Sequence, residues 1–102
     1  MQFFVIFTPK KKFETEGVPS DFADLELREQ AQVRVLYAGG GARQVWALKS
    51  PDGKILGGTI LFETDSPEHL HEMIDSFPLI KADYAGYQIL TLAPHAAFMP
   101  KP

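Results

Sequence analysis

The chain has 102 residues, 45% hydrophobic and 23% charged, with a formal net charge of −3, which suits one globular domain with a single core. The lack of cysteine excludes disulfides, thiolate catalysis and cysteine-held metals, and the acidic balance argues against a phosphate-binding nucleic-acid surface. The N-terminal MQFFVIFT lacks a basic leader and is too short for a signal peptide or membrane span, so the expectation is a cytoplasmic protein with neither membrane nor nucleic acid as partner.

Residues 2–8, QFFVIFT, form an apolar β-branched and aromatic run halted by Pro9, which predicts a first strand. Residues 9–19 read as a polar loop, in which Lys10, Lys11 and Lys12 form the only basic run, solvated by default. A long helix follows over 20–38, capped by Ser20 or Asp21, acidic at Asp24, and ended by Gly39, Gly40 and Gly41. Residues 42–49 and 54–63 are two strands joined by Ser50-Pro51-Asp52-Gly53, a tight-turn signal that pairs them antiparallel. A second helix opens at Asp65 or Ser66 with Pro67 in its first turn. It carries the stripe Leu70, Met73, Ile74 and Phe77, and stops at Pro78. Residues 83–92 give the last strand, and Pro94 opens an apolar tail.

The order is βαββαβ, an α+β ferredoxin-like domain with a four-stranded antiparallel sheet. Two helices cover one face of such a sheet, yet Phe3, Phe4, Val5, Ile6 and Phe7 run unbroken and Ile60, Leu61 and Phe62 stand together. A sheet apolar on both faces needs a second cover. The simplest cover is a second copy, packed sheet on sheet in a homodimer, with the tail around Phe98 and Met99 strapped onto the neighbour.

The first helix holds the main functional lead. Counted at 100° per residue from Phe22, the apolar Leu25, Val33 and Leu36 fall at about 300°, 20° and 320°, and Glu29 at about 340°. Gln32 lies beside it. A carboxylate aimed at a core needs a partner, or it faces a cavity where a carboxylate is used. Burial raises its pKa, so it can take a carbon-bound proton near neutral pH and return it elsewhere. The structural alternative is a glutamate bonded to Arg43, Gln32 or Tyr37.

Other candidates are weaker. His69 borders the second apolar stripe and can reach a cavity rim. His71, two residues on, points elsewhere, so the pair shares no metal and no metal site is expected. Trp46 and Tyr84 or Tyr87 lie on strands, where they either line a pocket, a tyrosine polarising a carbonyl, or simply pack. Arg43 either grips a substrate carboxylate or pairs with Glu29 or Glu63. Gly57 and Gly58 mark a bulge or the close approach of another group.

The chain resembles the muconolactone isomerase family in Arg43-Gln44-Val45-Trp46, in the helix Ser66-Pro67-Glu68-His69-Leu70-His71, in Phe77-Pro78-Leu79 and in Pro94-His95. The resemblance implies a dimeric α+β barrel with a small cavity between sheet and helices, moving a proton along an unsaturated lactone without metal or cofactor. The family's acidic helix segment matches Leu27-Arg28-Glu29-Gln30, which puts its carboxylate at Glu29. On that reading Glu29, His69 and Tyr84 are catalytic, and Gln32, Arg43, Trp46 and Tyr87 bind a small-molecule substrate. Gly41-Ala42 stand where the family has a hydroxylated residue and a bulky aromatic, and the turn through Lys49, Ser50, Pro51 and Asp52 is longer, so the cavity should differ in shape.

Asp52-Gly53, Gly57-Gly58, Phe62-Glu63 and Pro78-Leu79-Ile80-Lys81-Ala82 are also similar to the YCII-related family. That family's helix-one histidine, half of a His–Asp dyad, is absent. A non-catalytic small-ligand-binding dimeric barrel is the rival reading, and a cofactor-free monooxygenase a third.

Overall fold

The computed structural model describes residues 1–98. Its elements are β1 (Gln2–Pro9), α1 (Phe13–Glu16), α2 (Phe22–Ala38), β2 (Ala42–Lys49), β3 (Ile55–Glu63), α3 (Pro67–Asp75), α4 (Pro78–Lys81) and β4 (Ala85–Leu92). The sheet order is β2-β3-β1-β4, antiparallel throughout. This is the expected α+β fold with two short helices added.

Those additions have local causes. Pro78 begins α4 rather than merely ending α3, because a first-turn proline gives up an N–H that has no helical partner anyway. Asp83 then adopts φ 60 and ends that turn, a conformation aspartate tolerates better than most residues, so β4 starts at Ala85 rather than 83. The glycines after α2 do terminate it. Gly40 takes φ 84, and the N–H groups of Gly40 and Gly41 bond back to Tyr37 O and Leu36 O, a Schellman closure. At the other end neither Ser20 nor Asp21 caps α2 with its side chain. Ser66 does cap α3, accepting the His69 N–H at 3.1 Å.

The core lies between the sheet and α3. Phe3 and Val5 of β1 and Ile60 and Phe62 of β3 pack on Leu70, Ile74 and Phe77, all buried. The α2 helix buries none of its residues fully. Its half-buried positions are Phe22, Leu25, Glu29, Gln32, Val33 and Leu36, which is the stripe read from the sequence, the carboxylate included.

Two bulges set the register of β3 against β2. The pairing slips between Ala42 and Gln44, leaving Arg43 as the extra residue, and again beside Leu56. Beyond the first slip, Val45 and Ala47 pair with Ile60 and Gly58 on the helix side, since cross-strand partners share a face. The opposite face carries Phe4, Ile6, Leu48, Leu61 and the exposed Trp46, Leu90 and Leu92, apolar as expected. In the tail, Phe98 is 83% exposed; Met99 lies outside the described residues. Among the described residues, no helix is long and apolar enough to cross a membrane.

Candidate functional site

A cavity of about 670 Å³ lies between α2 and the β2–β3 half of the sheet. Phe7, Phe77 and Leu79 border it at the core, with Val45, Ala47, Gly58 and Ile60 along the sheet and Glu26, Glu29, Gln30, Val33, Arg34 and Tyr37 along α2. The helix positions recur every three or four residues, so they form one continuous wall. Measured on the same wheel, Glu26, Tyr37, Gln30 and Arg34 fall at about 40°, 60°, 80° and 120°. The cavity therefore takes the flank of the apolar stripe, with Val33 at the border, and Glu29 lines it from within the stripe.

Glu29 is half-buried, and its Oε1 accepts the Leu79 N–H at 3.2 Å. None of the side chains expected as partners, Arg43, Gln32 or Tyr37, is bonded to it among the described residues. Burial pushes its pKa up from the ordinary 4.5. The Leu79 hydrogen bond works against that rise, and the neighbouring Glu26 charge adds to it. Such a group holds its proton more readily than an exposed glutamate, yet has a backbone donor waiting for its anion.

The other expected site residues are dispersed. Trp46 borders the cavity at edge strand β2, although its indole N–H is turned to Gln44 Oε1 at 3.4 Å. Arg43 is exposed in the bulge that begins β2 and borders neither this cavity nor the hollow beside His69. Arg34, which the sequence reading passed over, is the arginine at this cavity, and it makes no ion pair among the described residues. Gln32 bonds Ser76 Oγ at 2.6 Å and ties α2 to the end of α3.

His69 sits beside a separate hollow of about 400 Å³ with Leu36, Glu63 and Met73, its Nδ1 2.8 Å from Asp65 Oδ1. That contact holds the Asp65 carboxyl below its usual range.

Tyr84 stacks on Phe22 (13°, centroids 6.1 Å apart), meets Phe13 edge-on, and donates to Asp21 Oδ1 at 2.8 Å. This bond occupies the expected cap residue and raises the phenol's pKa, so Tyr84 serves as packing at the foot of α2. The Tyr87 ring lies 6.3 Å from that of Phe7, on the side of β1 away from the cavity, and its hydroxyl is 3.4 Å from His71 Nδ1. Burial chiefly raises its pKa as well. Among the described residues no cluster of three or more His, Asp or Glu is placed to hold a metal.

Fold and cavity together define a class, the ferredoxin-like α+β domain with a ligand-sized hollow beneath its long helix. Within it the chain has the fold of muconolactone isomerase, one of the solved structures it resembles: TM-score 0.75, 21% identity, 100% of this chain and 98% of that one covered. Another is 5-chloro-2-hydroxyhydroquinone dehydrochlorinase (TftG) from Burkholderia phenoliruptrix AC1100, solved with 2,5-dihydroxybenzoquinone: TM-score 0.71, 14% identity, 95% and 98% covered. No protein-family model and no curated protein sequence matches the chain.

Proposed function

We propose that this protein is a cofactor-free isomerase that shifts a proton on a small unsaturated lactone or carbonyl compound. Glu29 is the proton carrier. Its carboxylate takes a proton from an acidic carbon, leaving a delocalised enolate, and returns that proton at another carbon, so substrate and product are isomers. Arg34, rather than Arg43, is the cation available to hold an anionic group of the substrate and to offset the enolate charge. The observation that carries the reading is one half-buried carboxyl, its pKa raised by burial, beside an open cavity of substrate size. Of the two similar structures, one is by its name an isomerase and the other a dehydrochlorinase, and a proton carrier on this fold is compatible with both.

The working form is a homodimer in the cytoplasm, closed sheet on sheet over Phe4, Ile6, Leu61 and Leu90, with the tail packed on the partner. The Leu79 hydrogen bond favours a second reading, in which Glu29 merely caps α4 and the cavity binds ligand without turnover. Assaying a panel of small unsaturated lactones with wild type and Glu29→Gln separates the two. A general base of this kind predicts a loss of about 100-fold or more in kcat/KM. Equal turnover by both proteins removes Glu29 from the mechanism.

A further inference from the structure

Two adjacent glycines occupy the β3 strand below the cavity, and the structure gives them different reasons. At Gly57 an added Cβ would run into the Phe7 carbonyl oxygen, so the neighbouring strand itself demands glycine there. At Gly58 no such demand exists. An added Cβ would meet only the Trp46 carbonyl oxygen within 4 Å, at 3.5 Å, an ordinary contact, and its φ is not in the left-handed region. Gly58 pairs with Phe7 and Ala47 and faces α2, not the outer side where a second sheet would pack. The space above Gly58 therefore belongs to the cavity.

We propose that the bare step formed by Gly58 and Ala47 is the specificity determinant of this cavity, and that it selects substrates built on a planar ring. Two adjacent small residues clear a patch about 5 Å from strand to strand, close to the width of one five- or six-membered ring. Over Gly58 the floor is bare peptide, bordered by the single methyl of Ala47, and a flat ring lies against that bare step across its whole face. A puckered saturated ring touches it only through its axial hydrogens. The aromatic walls Phe7 and Phe77 close one end. Such seating puts α2, and with it Glu29, over the opposite face of the ring. A carbon-bound proton there leaves perpendicular to the plane, the direction in which its electrons join the conjugated system. The inference deepens the proton-transfer reading, since it names the substrate class of the cavity which that reading uses.

The test is a binding measurement without turnover. Benzoate and cyclohexanecarboxylate carry one negative charge each and differ in whether the ring is flat, and both are titrated calorimetrically into the wild type, Gly58→Ala and Gly58→Val. The expected result is that wild type binds benzoate about tenfold or more tightly than the saturated acid. Gly58→Ala should weaken benzoate measurably and Gly58→Val by about tenfold or more, the scale of misplaced methyl groups in an apolar pocket. Circular dichroism and Tm of both variants should match or exceed wild type, since glycine is a poor strand former. Equal binding of the two acids, no binding of either, or a folded Gly58→Ala with wild-type benzoate affinity overturns the proposal. Should Gly58→Val fail to fold, Gly58→Ala decides alone. The two readings fail separately: unchanged turnover by Glu29→Gln removes the proton carrier, whereas unchanged binding by Gly58→Ala removes the ring-selecting floor.

Discussion

Glu29 illustrates how far one side chain can be read in advance. Its place in the apolar stripe follows from spacing alone, and the structure half-buries it there. Its partner was not legible, because a backbone N–H at Leu79, fifty positions away, carries no sequence signal. Arg34 was missed for a different reason. The cavity occupies the flank of the stripe, and a flank residue looks like any solvated charge. Nor was the partner of Tyr84 legible, a hydroxyl bonded to Asp21 sixty-three positions away. A glutamate whose pKa is raised by folding binds its proton more tightly in the native state than in the unfolded chain. Its contribution to stability is thus full below the unfolded pKa and is lost as pH rises through the folded one. Glutamine keeps an acceptor for Leu79 and never ionises. Glu29→Gln is therefore expected to be at least as stable as wild type at neutral pH, with the gap shrinking toward acid. Thermal melts across the carboxylate range check this, and a gap that widens toward acid would contradict it.

Elements were the most legible scale. Pattern and turn chemistry place every strand and both long helices to within two residues or so, because period-two runs, glycine stops and proline starts act locally. The short helices α1 and α4 escaped notice, since four residues carry no periodicity. The bulge at Arg43 was invisible for the same reason, and it matters more: by slipping the register it leaves Arg43 outside the cavity and turns Val45 and Ala47 toward it. Capping gives a check at this scale. Ser66 Oγ receives the His69 N–H, so Ser66→Ala should cost about 1 kcal/mol in chemical denaturation. Ser66→Asp, which keeps an acceptor, should cost little. Equal losses for both would show that the α3 cap contributes nothing.

For the molecule as a whole, the sheet's two apolar faces were evident from unbroken hydrophobic runs in β1 and β3. The structure covers one with α3 and leaves the other holding Trp46 (59% exposed), Leu90 and Leu92. What packs on that face is written in no single chain, which is why the homodimer is a proposal. Leu90 is 41% exposed in the isolated subunit, so Leu90→Glu should barely disturb the subunit fold while weakening self-association at least about tenfold. Sedimentation equilibrium reads this directly, and a wild type that stays monomeric at high concentration would remove the dimer. Fold and cavity acquire chemical meaning only through the state of one carboxyl group. Its titration can be followed by carbon NMR of the side-chain carboxyls in the intact protein, the Glu29 signal being assigned by its loss in Glu29→Gln. The expected midpoint lies above the 4.5 of an ordinary glutamate; a midpoint at or below that value would contradict the role given to Glu29.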